Sequence, residues 1–308
     1  STSIGIRNEC YSLFVKFLYK TSTHSPFGKF FYFFESLKTT LDIIKFQPDL
    51  IIVSLWKSCL SAIFIKLLRP NTKIILFIHL PNSVHLIDYF SNFLISKLAN
   101  QIWGDSDSSL KARYEELAIK KNKKSRVISF LTHKLVQNKN YEYKPNFIFW
   151  GRLHSQKRIN LAIHFFGNVS SRVKNAKFTI IGPDCGELKS LTKLTKKFQL
   201  EKKIDFLSPK NIEEISELSK DATFYLQLSL FEGLAMSVVE SMQLGLIPIV
   251  TNVGEIKNYC MHMENALIFK NINSTTNQVI NLLQNPSQMK YIRENAISSW
   301  SKKITYRE

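Results

Sequence analysis

Cysteine is scarce in this chain and never closely spaced. The four residues, Cys10, Cys59, Cys185 and Cys260, form no CxxC pair in 308 residues. Neither a zinc site nor a compact disulfide framework is signalled, and a reduced, cytosolic setting is the expectation. Acidic side chains are also few. The 24 Asp and Glu stand against 42 Lys and Arg, for a net charge of +18 and a pI near 9.7. That imbalance asks for an anionic partner: nucleic acid, an acidic membrane surface or a phosphorylated small molecule. A solubilising lysine surface is the plainer account of it. No uninterrupted apolar run reaches the roughly 18 residues needed to cross a bilayer. The N-terminus lacks a cleavable signal pattern, and Ser1 in place of a methionine fits a processed start or an upstream segment. There is no GxGxxG fingerprint and no GxxxxGK[ST] loop. No RNA- or DNA-binding motif accompanies the charge, so no nucleic-acid partner is expected.

What is present suffices for substantial cores: 44% of residues are hydrophobic, in a length suited to two domains. Elements alternate along the chain. Residues 27–46, FGKFFYFFESLKTTLDIIKF, have helical length and pattern, Gln47-Pro48-Asp49 interrupts, and LIIVSL (50–55) is β-rich. A helix-like run ends at Arg69-Pro70-Asn71, and KIILFIHL (73–80) reads as a strand. Another helix, the short QIWGDS (101–106), a serine-led helix over 108–119 and RVISF (126–130) complete the series. Apolar strands separated by helices imply a parallel sheet covered on both faces. Residues 131–145 are polar and irregular, as a linker would be. The alternation then restarts, with strands at 147–153, 177–182, 203–208, 223–229, 247–252 and 266–269 and helices that include 158–173 and 211–222. The prediction is an α/β protein of two doubly wound parallel-sheet domains facing a cleft. An N-terminal domain spans 1–144, a C-terminal domain 145–290, and a last helix 291–308. Ligands belong at the carboxyl ends of the strands.

Three stretches carry candidate chemistry. In SLFEGLAMSVVESM (229–242), Glu232 follows a strand, Gly233 permits a tight turn, and LAMSVVESMQLG reads as a helix with Gly245 just past its end. Free N–H groups and the positive dipole end of such a helix form an anion site. Were the helix to extend back to Glu232, Glu240 would lie about 80° around it. The two carboxylates would then suit a polyhydroxyl ligand whose phosphate rests on the helix N-terminus. The structural alternative is that Glu232 caps the helix and Glu240 is solvated. In FWGRLHSQKRINLAI (149–163), Arg152 and Lys157 follow a strand. They can clamp a diphosphate, Arg as a fork and Lys as a point charge, or serve as ordinary surface cations. IIGPDCGEL (180–188) gives a strand, a Gly-Pro turn and a helix start. Asp105-Ser106-Asp107 looks like a metal-binding DxD but is read as preceding and capping the 108–119 helix, so no metal is expected.

Taken in order, GRL with its lysine, the IIG turn, FEGLAMSVVES, QLGLIPIVTNVGEIKNYC and ENALIF resemble the donor-binding half of glycosyltransferase family 4, whose fold is GT-B. The resemblance covers residues 147–270. AMSVVESMQLGLIPIVTNVGEI is similar to bacterial enzymes of surface-polysaccharide assembly, of O-antigen (lipopolysaccharide) and capsule. The resemblance implies two Rossmann-like domains and a retaining, metal-independent hexosyl- or glycosyltransferase. Its substrate would be a UDP- or GDP-linked nucleotide-diphosphate sugar, used without a cofactor, and its acceptor a glycan or polyprenyl-linked molecule. By that resemblance Glu232 is the catalytic glutamate beside the transferred sugar, and Glu240 binds ribose hydroxyls. Gly233, Leu234 and Ala235 meet the sugar and phosphate, and Arg152 and Lys157 neutralise the diphosphate. His79, ending KIILFIHL, matches a cleft histidine of many members and is the second catalytic candidate, with a loop or core histidine as the alternative. Base contacts are expected near 182–187 and 207–211. YIRENAISSWSKK (291–303) is similar to the family's last helix, which returns to the N-terminal domain. QPDLIIVS resembles the strand entering the acceptor domain. Only STSIGIRNE stands where members open with a strand and a glycine-rich loop, so the expectation is either a chain that begins late or a shortened N-terminal domain. The alternative function is a catalytically inactive GT-B domain that binds a nucleotide or a glycan.

Phe27, Phe30, Phe31 and Phe34 share one helical stripe, with Phe33 beside it. A core face explains this. So does a monotopic contact in which aromatics enter the interface while lysines such as those of KKNKKSR (120–126) meet anionic lipid. With a lipid-linked acceptor, the second reading puts a cytoplasmic protein on the inner face of the cytoplasmic membrane.

Overall fold

The computed structural model describes residues 40–80, 82–83, 85–119, 124–128, 135 and 142–301. The phenylalanine stripe, most of the KKNKKSR segment and most of the expected linker lie outside them. Contacts divide the described residues into two compact units: those from 40 to 104 with those from 113 to 126, and those from 105 to 112 with those from 127 on.

In the N-terminal unit, helical residues 40–46 precede β1 (Leu50–Ser54), α1 (Leu55–Leu68), β2 (Lys73–Ile78), α2 (Leu86–Leu98), β3 (Gln101–Gly104) and β4 (Lys124–Val127). The sheet order is β1-β2-β3-β4, and β2 runs parallel to both β1 and β3. Ile74 to Ile78 of β2 are all buried, as a central strand requires. Helix α1 stops at Leu68, where Arg69 turns its N–H onto Ile65 O and Pro70 follows. His85 caps α2 by accepting Asp88 N–H on Nδ1 at 3.0 Å. Helix α3 (Asp107–Glu116) contributes residues to both units. It ends three residues short of the expected span, just before Ala118 turns left-handed (φ 46°).

The C-terminal unit alternates β5 (Phe147–Trp150), α4 (Ile159–Arg172), β6 (Phe178–Ile181), α5 (Leu188–Lys197), β7 (Ile204–Leu207), α6 (Ile212–Ser219), β8 (Phe224–Gln227), α7 (Met236–Gln243), β9 (Ile247–Val250), α8 (Ile256–Tyr259), β10 (Leu267–Ile268), α9 (Ile272–Leu283) and α10 (Pro286–Ser301). Its sheet is parallel, in the order β10-β9-β8-β5-β6-β7. Strands β5, β8 and β9 are buried along their whole length, so the apolar runs mark a sheet covered on both faces. Phe147 stacks on Phe224 at 5.0 Å and meets Phe166 edge-on at 5.6 Å, which fixes β5 beside β8. Between those two strands the winding reverses. Such a switch point leaves a crevice at the carboxyl ends of the strands.

The last helix begins earlier than its sequence motif, with Pro286 at its first position and the Asn285 side chain accepting Gln288 N–H. It packs on α7 and β9. Arg293 Nε donates to Gly245 O at 3.1 Å, and Trp300 Nε1 lies 3.3 Å from Met242 Sδ. The described part of this helix is thereby fastened to the C-terminal unit.

The run 147–153 stops being a strand at Gly151, because the chain ends of β5 and β6 touch. Gly182 takes φ +151°, and a Cβ there would lie 1.8 Å from Gly151 O. Gly182→Ala should therefore lower stability by about 2 kcal/mol or more. The test is a urea midpoint shifted down at constant m-value; a midpoint equal to the parent's would refute the close approach.

Candidate functional site

The site lies where the chain leaves β5 and β8. After β5 come Gly151 and the exposed Arg152, then a short 3-10 turn over Ser155–Lys157. Arg158 sits left-handed (φ 46°) before α4. After β8 a strap, 228–235, leads to α7. The two connections are laced together. Leu230 N–H donates to Gln156 O, Gln156 Nε2 to Phe231 O and Arg158 Nε to Leu228 O, each at 2.8 Å. On its other side the strap is held by its carbonyls. Thr251 Oγ1 donates to Ser229 O at 2.6 Å, Glu255 N–H to Gly233 O at 3.2 Å and Tyr259 OH to Leu234 O at 2.6 Å. Gly254, at φ +55°, presses so close that a Cβ would lie 2.0 Å from Glu232 O.

Glu232 is only 7% exposed. Its Oε1 lies 2.6 Å from Lys157 Nζ and accepts Gln227 Nε2 at 3.1 Å. Gln227 is wholly buried, and its Oε1 accepts Tyr225 OH at 2.6 Å and Ser237 Oγ at 2.8 Å. The Tyr225 ring packs edge-on against Trp150 at 4.5 Å. Trp150 Nε1 donates to Glu240 Oε2 at 2.9 Å. One polar network, bridged by the Trp150–Tyr225 contact, therefore runs from Lys157 to Glu240 beneath the strand ends. Burial pushes the Tyr225 hydroxyl far above its ordinary pKa, so it stays a proton donor. Burial also raises Glu240, with the Trp150 bond opposing part of that rise.

These contacts revise the helix-based reading. Helix α7 begins at Met236, with left-handed Ala235 (φ 57°) as its cap residue and no side-chain cap. Glu232 is thus in the strap, neither capping the helix nor lying on it, and the 80° relation to Glu240 does not arise. Glu240 is half-buried and bonded to Trp150 rather than a solvated helix glutamate. Lys157 is already paired with a carboxylate, while the Arg152 side chain is exposed. Gly233, Leu234 and Ala235 form the strap's last three residues. Val238 and Val239 both turn their N–H groups back on Ala235 O, at 2.9 and 3.3 Å. His79 belongs to the N-terminal unit, just past β2, with its ring 4.7 Å from Phe77 and its pKa lowered by burial.

Sequence reasoning missed Trp150, Tyr225 and Gln227. Gln227 did carry a signal: it is a polar amide in an otherwise apolar and aromatic strand, and a buried amide needs partners.

A second polar cluster surrounds the start of α3. Ser106 Oγ accepts Ser109 N–H at 3.2 Å, so Ser106 caps this helix. Ser106 Oγ lies 3.0 Å from Asp105 Oδ1, and Ser108 N–H donates to Glu255 Oε1 at 2.8 Å. Among the described residues no group of three His, Cys, Asp or Glu could hold a metal ion. Asp105 is raised from 3.8 to about 6, chiefly by burial and further by the charge of Glu255.

Two predictions follow from this geometry. In a stability cycle of Lys157→Met and Glu232→Gln, a coupling of about 1–3 kcal/mol is expected; strictly additive effects would deny the pair. For Asp105, the folded state keeps a proton that the unfolded chain has lost between pH 3.8 and about 6. Its contribution therefore falls as pH rises through that window and is level above it. The melting temperature of Asp105→Asn relative to the parent should climb from pH 4 to pH 6 and then plateau. A pH-independent difference would contradict the raised pKa.

Comparison with known proteins gives this geometry its context. The family model for glycosyl transferases group 1 matches residues 130–299, more than half of the 308. No curated protein gives a significant match. Among solved structures, a Staphylococcus aureus TarM variant in complex with fondaparinux, α-GlcNAc-glycerol and UDP aligns with TM-score 0.73 at 16% identity, over 89% of this chain and 57% of that one. The pneumococcal O-GlcNAc transferase GtfA with UDP and GlcNAc aligns at 0.75 and 14%, over 87% and 57%. Anabaena HepE with UDP-glucose aligns at 0.72 and 15%, over 89% and 79%. The chain thus spans a little more than half the length of TarM and GtfA. At these identities the likeness establishes the fold, the GT-B type with two parallel α/β sheets. Together with the family match over the unit that carries the network, this places the chain in the glycosyl transferases group 1 family.

Proposed function

We propose that this protein is a retaining, metal-independent glycosyltransferase. It moves a hexosyl group from a nucleotide-diphosphate sugar to a glycan or polyprenyl-linked acceptor in bacterial surface-polysaccharide synthesis, on the cytoplasmic side of the membrane. The observation that carries the reading is the buried Lys157–Glu232–Gln227 network at the carboxyl ends of β5 and β8, beside the first turn of α7.

The bond to break joins the anomeric carbon to the terminal phosphate oxygen of the donor. As it lengthens, negative charge grows on the departing nucleoside diphosphate. Arg152, Lys157 and the first-turn N–H groups of α7 are the positive elements near the strand ends. Charges and dipoles already in place lower the barrier because nothing must reorganise. The Glu232 carboxylate holds the Lys157 ammonium at 2.6 Å and keeps it at the strand end before a donor arrives. Glu232 then faces sugar hydroxyls, and Gly233, Leu234 and Ala235 line the path between sugar and phosphate. Glu240, oriented by Trp150, accepts ribose hydroxyls. His79 is assigned to the sugar or acceptor. Its lowered pKa makes it neutral at pH 7, a hydrogen-bonding group rather than a cation. TarM, GtfA and HepE are each complexed with UDP or UDP-glucose, which favours a uridine donor over a guanosine one.

Uridine and guanosine diphosphates and their sugars, screened by melting temperature, test the donor assignment, because a ligand of the native state raises it. A uridine diphosphate should raise the melting temperature of the parent, and Arg152→Ala or Glu240→Ala should lose most of that rise. Glu232→Ala should stay folded yet lose about a hundredfold or more in transfer. Unchanged turnover in Glu232→Ala and Arg152→Ala would reject the site. A melting-temperature rise without any turnover by the parent would point to a binding domain instead.

A further inference from the structure

Helix α2 is inverted. At about 100° per residue, Leu86, Phe90, Leu94, Ile87 and Leu98 fall on one arc of about 120°, and all five are exposed, Leu86 by 75% and Phe90 by 58%. The opposite arc is buried and holds Asp88, Ser91, Asn92 and Ser96, with Ile95 its one apolar member. A helix on a water-soluble core shows the reverse pattern.

The inward polar side chains of α2 itself, Asp88, Ser91, Asn92 and Ser96, all have partners. Asn92 Nδ2 donates to Asp88 Oδ1 at 2.7 Å, Asp88 lies 3.6 Å from the Arg113 guanidinium, and Arg113 in turn meets Glu116 and Ser83 at 2.6 Å. Helix α2 packs on α1, whose buried residues are Cys59, Ser61, Ala62 and Ile65. Small and polar side chains between helices with apolar ones outside is the arrangement of helix pairs in lipid.

We propose that the exposed face of α2 docks on an anionic lipid bilayer, lying in its interfacial plane. Charge favours that occupant. The pair α1–α2 carries Lys57 and Lys97, a third lysine, Lys66, whose ammonium is bonded to Pro70 O and Thr72 O, and a single carboxylate, Asp88, which is buried against Arg113. Lys97 is exposed on the same arc near the helix end, where a long side chain can reach headgroups while its stem stays in the apolar layer. Thirteen residues make a helix about 20 Å long. A single amphipathic helix of that length suits a monotopic contact. No helix among the described residues is long and apolar enough to cross a membrane. The inference does not rest on the sugar chemistry proposed above, and its test contains no donor.

The full chain is co-sedimented with vesicles of phosphatidylglycerol and phosphatidylcholine, and with phosphatidylcholine alone. The parent should bind the anionic vesicles more strongly. The double variant Phe90→Asp/Leu94→Asp should bind about tenfold more weakly or less, since two apolar side chains no longer leave water, with a melting temperature at or above the parent's. Lys97→Glu should weaken binding to the anionic vesicles alone. Parent protein that stays in the supernatant, or a double variant that binds as well as the parent, overturns the proposal. A melting temperature several degrees lower in the double variant overturns it in favour of a face covered by the chain's own residues. A parent dimer that the double variant dissolves, seen by size exclusion, overturns it in favour of a second copy.

Discussion

The ion pair between Lys157 and Glu232 is the constraint around which the rest of the C-terminal unit is arranged. Two ions taken out of water cost several kcal/mol each unless their remaining hydrogen-bonding capacity is met. Here the carboxylate oxygen that meets Lys157 also accepts a hydrogen bond from Gln227, and Gln227 Oε1 in turn accepts hydrogen bonds from Tyr225 and Ser237. Each partner is fixed by an element of its own. Gln227 and Tyr225 belong to the central strand β8, Ser237 to the first turn of α7, and Lys157 to a turn bonded to the strap. The pair is therefore a meeting point of three elements rather than a local contact. It sits where the sheet's winding reverses.

Backbone approach is the second constraint. At Gly182 and Gly254 any side chain would collide with a carbonyl, of Gly151 and of Glu232 respectively. These contacts bring the exit of β5 against that of β6, and the turn before α8 against the strap. The charged groups gain their geometry from main-chain contacts as much as from side-chain ones, which is how a site can be held before a ligand is present.

Much of this was legible in the residues. Runs such as FIFW and IPIV announced strands covered on both sides, and the order of elements gave the α/β class and the parallel sheets. Glu232 and Lys157, 75 positions apart, were singled out separately and do meet. Two things were not legible. Gly-Leu-Ala before Met236 has no helix-breaking composition beyond its glycine, so the left-handed turn at Ala235 was invisible and the helix was drawn too long. Periodicity in LIDYFSNFLISKL shows a stripe but carries no sign. It cannot say that the apolar side of α2 faces outward, because that depends on Arg113 and on α1, which lie elsewhere in sequence.

The strap between β8 and α7 is gripped through its carbonyl oxygens, by a threonine, a main-chain amide and a tyrosine. None of those grips depends on which side chains the strap itself carries. Leu234, for example, could be exchanged while Tyr259 still held its oxygen. Selectivity among related ligands can therefore drift by replacing the exposed strap side chains, Leu230 and Phe231, on an unaltered track of carbonyls, and such a change need not carry a penalty in folding. Diversification in such a protein is decoupled from architecture at these exposed positions, whereas at Glu232 and Gly254 the two are locked together.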